Sequence, residues 1–279
     1  MSHDPIPASA DATPADLMDL AERIAREAGQ LVREATHGTV SVAATKSSGV
    51  DLVTEVDRAA EALIRRRLAE ARPADAVLGE EEEAKLGTSG LTWVVDPIDG
   101  TTNFVYGLAD YSVSIAVVSG EPDPDTWTLL ASAVHAPATG RTWTAARGGG
   151  AFADGVALRL GEAAPLGRSL AGTGFAYTAD RRAAQAQLLT VVLPEVRDIR
   201  RLGSAAIDLC LVAEGRLDFF YEQHLNPWDM AGGALVLAEA GGVVRRRGHG
   251  ESALTVGGPS VTVEAFLALL DAHGIGDAG

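Results

Sequence analysis

The chain has 279 residues, of which 47% are hydrophobic, and a formal net charge of −15. This length and hydrophobic content suffice for a large core and exclude general disorder, and the acidic balance provides no basic face for nucleic acid. The single cysteine, Cys210, excludes an intrachain disulfide and a cysteine-rich zinc site. We find neither a signal peptide nor an apolar run of membrane-spanning length, so we expect a cytoplasmic protein without membrane or nucleic-acid partners.

The first half of the chain predicts two amphipathic helices followed by a strand-rich middle. Residues 1–14 are interpreted as a flexible tail, at whose end Thr13-Pro14 opens a helix that closes at Gly38. A second helix begins near Val56 and stops before Pro73. Strands are predicted at 76–78, at 92–95 (ending at Asp96-Pro97), and, in antiparallel succession, at 111–118, 127–135 and 141–146.

The second half alternates between strands and helices, which is typical of a layered α/β structure. The predicted strands span residues 170–174, 198–202 and 217–221. The predicted helices span 180–193, 204–214, a segment from Pro227 to Gly241-Gly242, and 263–273. We therefore expect two tightly apposed halves after the tail, covering residues 15–150 and 151–279.

The most informative segment runs from Trp93 to Phe104, with the sequence WVVDPIDGTTNF. An apolar strand leads into two carboxylates, Asp96 and Asp99, and Gly100 then permits close backbone approach. The threonines that follow can begin a helix whose N–H groups point out beside the carboxylates. Hard oxygen ligands next to such a helix start suit Mg²⁺ and phosphate. An isolated Asp-x-x-Asp pair is explained equally well by helix capping.

Three further segments carry carboxylates at the ends of predicted elements. Glu80 and Glu81 follow the strand at 76–78, in a run of four glutamates that would otherwise indicate a solvated surface. Asp229 lies in the first turn of an apolar helix, where a favourable helix-dipole contact is the simpler explanation. Asp57 lies near the start of the second helix, where capping is an equally good explanation.

These four segments, in this order, resemble the inositol monophosphatase family, a branch of the Mg²⁺-dependent, Li⁺-sensitive phosphatases. The resemblance runs from about Leu17 to Gly258 and includes Gly203-Ser204-Ala205-Ala206 and Phe220-Tyr221-Glu222. It implies an α+β or α/β chain folded as a layered αβαβα sandwich of the sugar and inositol phosphatase type. It also implies a homodimer.

The resemblance implies a set of metal ligands. Glu80, Asp96 and the backbone carbonyl of Ile98 would hold one Mg²⁺ ion. Asp96, Asp99 and Asp229 would hold a second, and Glu80 would reach a third. Two or three Mg²⁺ ions per active site are therefore expected. No serine or cysteine nucleophile is required, because a metal-activated water would attack the phosphate.

The resemblance also implies groups that hold the phosphate and the attacking water. Gly100 and Thr101 would donate backbone N–H groups to the phosphate. The Thr101 hydroxyl and Glu80 would orient the water, and Asp57 would support Thr101. Glu81 and Lys46 would lie behind the residues that contact metal, without touching substrate.

The expected activity is hydrolysis of a small phosphate monoester, with myo-inositol 1-phosphate as the leading substrate. Ala205 and Glu222 would face the leaving alcohol. Histidinol phosphate, fructose 1,6-bisphosphate and 3′-phosphoadenosine 5′-phosphate are substrates of similar enzymes and stay open as alternatives. Arg200 and Arg201 either sense a second anionic group or lie at a surface. The alternative outside enzymes is a regulatory binding protein that keeps the fold.

Overall fold

The computed structural model describes residues 12–35, 42–45 and 52–275. Its helices are α1 (Pro14–Ala35), α2 (Glu55–Ala71), α3 (Thr101–Tyr106), α4 (Ala179–Val192), α5 (Ala205–Ala213), α6 (Pro227–Glu239) and α7 (Ser260–Ala272). Its strands are β1 (Val42–Thr45), β2 (Leu52–Thr54), β3 (Ala76–Gly79), β4 (Leu91–Asp99), β5 (Ser112–Ser119), β6 (Thr128–Ala136), β7 (Arg141–Ala146), β8 (Gly150–Ala153), β9 (Val156–Ala157), β10 (Leu170–Thr173), β11 (Asp198–Arg200), β12 (Phe219–Gln223), β13 (Val243–Arg247) and β14 (Leu254–Gly258).

Two sheets organise the fold. The larger sheet has the strand order β3-β4-β5-β6-β7-β8-β9, with β3 and β4 parallel and each later pair antiparallel. The smaller sheet has the order β11-β10-β12-β14-β13. Its strand β10 is parallel to both neighbours, whereas β14 is antiparallel to β12 and β13. Strands β1 and β2 form a separate antiparallel pair.

The helices form three layers around these sheets. Helices α1 and α2 pack together on one face of the larger sheet, and α5 and α6 pack on its other face. Helices α5 and α6 also contact the smaller sheet, while residues of α4 and α7 share an apolar cluster with strand β12. The resulting order is αβαβα, which confirms the predicted layered sandwich.

Amphipathic helix α1 forms where its sequence predicts. It begins at Pro14, and the apolar side chains spaced along one face are buried against the larger sheet. The closing residue predicted for this helix, Gly38, lies outside the described residues, as do residues 1–11 of the predicted tail. The buried positions include Leu17, Leu20, Ala21, Ile24, Ala28 and Val32.

Helix α6 lies between the two sheets and is apolar on all sides. Every residue from Met230 to Leu237 is buried. A Cβ on Gly232 would lie 2.5 Å from Ser114 Oγ, and one on Gly233 would lie 2.8 Å from the carbonyl oxygen of Ala206. Only glycine fits at such distances, so the pair allows α6 to pack closely against β5 on one side and α5 on the other.

The sequence analysis was wrong about the end of strand β4. We expected it to end at Asp96-Pro97, but it continues to Asp99. The register with β5 shifts between Asp96 and Asp99, so Pro97 lies in an irregularity of the ladder, where its missing N–H is tolerated. Strands β8, β9, β13 and β14 were not predicted. The division into halves near residue 150 stays a prediction.

Candidate active site

Three carboxylates from separate parts of the chain meet at one end of the larger sheet. Asp96 and Asp99 come from the last residues of β4, and Asp229 comes from the first turn of α6. One carboxylate oxygen of each lies within 4.8 Å of the others. The end of β4 and the start of α6 thus bring Asp229 next to Asp96 and Asp99, which lie more than a hundred positions earlier in the sequence.

Each of these carboxylates is held by hydrogen bonds to nearby backbone or hydroxyl groups. The Asp96 Oδ1 accepts from the backbone N–H of Ile98 at 3.0 Å. Asp229 Oδ2 accepts from the backbone N–H of Asn226 at 2.7 Å as part of a capping box. These contacts fix the orientation of both side chains before any ligand arrives.

Asp99 connects the larger sheet to helix α5. Its Oδ2 accepts from Ser204 Oγ at 2.6 Å and from the backbone N–H of Ala206 at 2.8 Å. Ser204 is the N-cap residue of α5, and its hydroxyl also accepts from the N–H of Ile207 at 3.3 Å. The N–H groups at the start of α5 have no partner within the helix, and the hydrogen bond from Ala206 stabilises the ionised form of Asp99.

Thr101 follows the carboxylates at the start of α3. Its Oγ1 lies 3.0 Å from the carbonyl oxygen of Ile98 and 3.3 Å from Asp57 Oδ1. A hydroxyl has one hydrogen to donate, so these two acceptors compete for it and keep the oxygen lone pairs directed elsewhere. Asp57 is buried on α2, which places this helix directly behind the site.

Gly100 turns the chain between Asp99 and Thr101. Its φ is 94°, and a Cβ there would lie 2.9 Å from the carbonyl oxygen of Asp110 and 3.1 Å from that of Gly203. Both the backbone conformation and the space therefore require glycine. Asn103 holds the first of these carbonyls in place, because its Nδ2 donates to Asp110 O at 2.6 Å, and the same Nδ2 donates to Leu202 O, one residue before Gly203, at 2.7 Å.

The carboxylates of the acidic cluster repel one another. Burial, and then the charges of Glu80, Asp99 and other neighbours, raise the pKa of Asp96 well above its ordinary value, and the pKa of Asp229 is raised in the same way. Burial raises the pKa of Asp99 to about 6, although Ser204 and Ala206 oppose the change. Such a set of oxygen donors fits a divalent cation, whose charge would restore the ionised forms.

A cavity of about 290 Å³ opens in front of the carboxylates. Glu80, which follows β3, lines it beside the carboxylate cluster. Glu222 lines its wall from β12, and its carboxylate lies so close to Gly174 that a Cβ there would be 2.1 Å from Oε2. Burial and the charge of Asp99 raise the pKa of Glu222 to about 8, while Arg201, also on the cavity wall, lowers it.

Comparison with known proteins identifies this arrangement. The sequence model of a family described as "Inositol monophosphatase family" matches residues 14–273 of the chain. The chain belongs to the inositol monophosphatase family. Membership confirms the resemblance seen in the sequence and places the chain among the phosphatases, enzymes that act on small phosphorylated substrates.

The relatives are similar over nearly their whole lengths. The inositol-1-monophosphatase of Mycobacterium leprae is 44% identical over 94% of this chain and 93% of its own length. The Nus factor SuhB of Escherichia coli is 37% identical over 90% of this chain and 94% of its own. The solved structure of Mycobacterium tuberculosis SuhB, 41% identical, matches with a TM-score of 0.79 over 94% of this chain and 98% of that one.

Most residues that the sequence analysis assigned to an inositol monophosphatase site lie around this cavity. Asp57 does not line the cavity but contacts Thr101, which does. Glu81 is not among the cavity-lining residues, and its carboxylate lies 4.0 Å from Arg58. Lys46 lies outside the described residues. The cavity-lining set from the sequence comprises Glu80, Asp96, Ile98, Asp99, Gly100, Thr101, Ala205, Glu222 and Asp229.

The sequence analysis missed several groups that shape the site. Ser204 was noticed only as part of a family string, although a serine before an apolar helix is a usual N-cap signal. Tyr177, just before α4, and Arg181, in the first turn of α4, also line the cavity, and the sequence around them carries no recognisable motif. His224 also lines the cavity, with a φ of 68°.

Proposed function

We propose that the protein hydrolyses a small phosphate monoester in a Mg²⁺-dependent reaction, with myo-inositol 1-phosphate as the leading substrate. The observation that carries this proposal is the cluster of Asp96, Asp99 and Asp229, whose carboxylates line a substrate-sized cavity. The family and the similarity to the Mycobacterium leprae inositol-1-monophosphatase support it.

The donor set suits two cations that share one ligand. Glu80, Asp96 and the carbonyl oxygen of Ile98 would hold the first, and Asp96, Asp99 and Asp229 would hold the second, with Glu80 available to a third. When bound, Mg²⁺ supplies charge that neutralises the phosphoryl oxygens and lowers the pKa of a bound water.

The chain's own groups then position the reactants. The Thr101 hydroxyl donates toward Ile98 O or Asp57, so its lone pairs are free to accept a hydrogen from the attacking water. Glu80 would accept another hydrogen of that water. Backbone N–H groups of Gly100 and Thr101 would bind the phosphate. Such fixed dipoles need no reorganisation during the reaction, which is how positioning contributes most to phosphoryl transfer.

The leaving alcohol would lie between Ala205 and Glu222. With its pKa raised to about 8, Glu222 carries a proton at neutral pH before cations bind, and it can then both donate to and accept from hydroxyl groups. Each hydroxyl of a polyol can donate and accept a hydrogen bond. Glu222 therefore favours a polyol phosphate over a substrate whose leaving group has no further hydroxyls.

The test is phosphate release by the purified protein, with and without Mg²⁺, on inositol 1-phosphate, histidinol phosphate, fructose 1,6-bisphosphate and 3′-phosphoadenosine 5′-phosphate. We expect Mg²⁺-dependent turnover with the highest kcat/KM on inositol 1-phosphate. Inhibition by Li⁺ in the same assay tests the predicted lithium sensitivity, and light scattering tests the predicted homodimer. Absence of turnover on all four substrates, from folded protein, would contradict the proposal.

A second substrate class is favoured by one observation. Arg181 and Arg201 both line the wall of a cavity whose floor is acidic. Two guanidinium groups there suit a substrate with a second anionic group, such as fructose 1,6-bisphosphate. Arg200 does not share this position, because it is exposed and paired with Asp198 at 2.6 Å.

A regulatory role would resemble the Escherichia coli relative, which is named a Nus factor. It does not explain why every proposed metal ligand is present. A chain that had lost catalysis would have no need to keep three neighbouring carboxylates, whose mutual repulsion destabilises the protein in the absence of a cation.

A further inference from the structure

A buried carboxylate on helix α2 holds the turn that carries Glu80. Glu61 has no exposed surface. Its Oε2 accepts from the backbone N–H of Glu81 at 2.8 Å, and its Oε1 lies 3.2 Å from the N–H of Glu82. Arg65, four residues later on the helix, donates its Nε to Oε1 at 2.7 Å and its Nη2 to the carbonyl oxygen of Glu82 at 3.0 Å. Side chains of α2 therefore bind the backbone N–H groups of Glu81 and Glu82 and the carbonyl oxygen of Glu82.

The same carboxylate occupies the space beside Gly79. A Cβ on Gly79 would lie 2.3 Å from Glu61 Oε1 and 2.6 Å from its Cδ. Gly79 pairs with Val95 in the parallel register of β3 and β4, so the next residues, Glu80 and Asp96, are level with each other. The contact with Glu61 thus fixes the backbone on both sides of Glu80.

The chemistry of Glu61 suits a role in positioning. A carboxylate that accepts two successive backbone N–H groups fixes a turn as an N-cap fixes the first turn of a helix. Arg65 neutralises its charge, so the buried group adds little to the repulsion among the carboxylates of the site. Asp57, which contacts Thr101, lies one helical turn before Glu61 on the same face of α2.

We infer that Glu61 is a positioning residue, which holds Glu80 beside Asp96 so that the two carboxylates can share a divalent cation. This inference rests on the role of Glu80 in the proposed function. Helix α2 accordingly serves as one rigid support for two groups of the site, with Asp57 behind Thr101 and Glu61 behind Glu80.

The variant Glu61→Gln tests the inference. It keeps the side chain's size but replaces one acceptor oxygen by an NH₂ group that faces other donors. We expect the Mg²⁺ concentration for half-maximal turnover to rise about tenfold or more, the usual cost of losing a group that orients a metal ligand. The KM for inositol 1-phosphate should stay within about twofold, since Glu61 is distant from the leaving alcohol.

Two further variants separate positioning from general stability. Asp75→Asn alters a comparable buried carboxylate, which accepts from Arg72 Nε at 2.8 Å and Trp93 Nε1 at 2.9 Å before the other end of β3. It should lower Tm without changing the Mg²⁺ requirement. Gly79→Ala pushes the turn away from Glu61 by steric overlap and should raise the Mg²⁺ requirement as Glu61→Gln does.

A second readout does not depend on turnover. The Mg²⁺ concentration needed for a given rise in Tm should increase about tenfold for Glu61→Gln and stay unchanged for Asp75→Asn. Equal responses of these two variants, or wild-type Mg²⁺ requirements in both Glu61→Gln and Gly79→Ala, would overturn the inference. If the wild type binds Mg²⁺ but releases no phosphate, the proposed function fails, and the Tm comparison still decides the role of Glu61.

Discussion

Replacing Asp99 by asparagine should stabilise the cation-free protein while weakening its response to Mg²⁺. In the native state burial raises the pKa of Asp99 from 3.8 to about 6. The native state then binds this proton more tightly than the unfolded chain does, so stability falls as the pH rises from about 4 to about 6. Above that range the ionised carboxylate costs the native state roughly 3 kcal/mol.

An asparagine at position 99 cannot ionise, and its Oδ1 can still accept from Ser204 and Ala206. We therefore expect Asp99→Asn to be more stable than the wild type by up to roughly 3 kcal/mol at pH 7.5 in the presence of a chelator, or about 5 °C in Tm for a chain of this size. At pH 4 most of the difference should vanish, because the wild-type carboxyl is then protonated in the native state.

The assay is thermal unfolding at both pH values, with and without Mg²⁺, alongside phosphate release. Mg²⁺ should raise the Tm of the wild type by more than that of Asp99→Asn, which keeps the proposed ligands of the first cation but loses one of the second, and the turnover of the variant should be lost. Asp208→Asn is the matched control, because burial raises the pKa of Asp208 too, and this residue is not a proposed ligand. It should gain stability and keep the Mg²⁺ response. An Asp99→Asn variant with wild-type turnover at saturating Mg²⁺ would refute the reasoning.

Three other variants or treatments test separate parts of the site and core. Gly174→Ala should raise KM about tenfold or more with a smaller effect on kcat, because its Cβ would displace the Glu222 carboxylate; an unchanged KM in steady-state kinetics would exclude Glu222 from alcohol binding. Arg201→Gln should lower kcat/KM for fructose 1,6-bisphosphate more than for inositol 1-phosphate, and equal losses would remove the case for a second anionic subsite. Cys210 is buried, and burial raises the pKa of its thiol well above the ordinary value, so the folded protein should resist alkylation that proceeds rapidly in denaturant, as followed by mass spectrometry.

Local patterns in the sequence predict most of the helices and strands, whereas the layered αβαβα order was predicted from the resemblance to a known family. Apolar periodicity predicts α1 and α2, and a carboxylate pair at the end of an apolar strand predicts where Asp96 and Asp99 lie. Strand β14 escaped prediction because two of its five residues are glycines, which are rare in strands. It becomes a strand through the neighbours β12 and β13, which pair with it on both sides.

Contacts between distant segments could not be predicted where no family motif included the residues. Glu61 has the spacing of an ordinary polar residue in an amphipathic helix, and its burial follows from the turn that packs on it. Arg181 and Arg201 have no motif in common and become neighbours of one cavity only through the fold. None of the described helices is long and apolar enough to span a bilayer.

Helix α6 is poorly suited to form before the two sheets have come together. Its adjacent glycines, Gly232 and Gly233, cost it about 2 kcal/mol of intrinsic helix propensity relative to alanine. The surfaces that enclose it belong to layers formed by segments far apart in sequence, so packing must compensate for this deficit. The position of Asp229 therefore depends on the packing of both sheets against α6 more than on the helix's own propensity. The proposed affinity for a divalent cation accordingly depends on the closure of the whole layered core, and a substitution that loosens the core around α6 should weaken it.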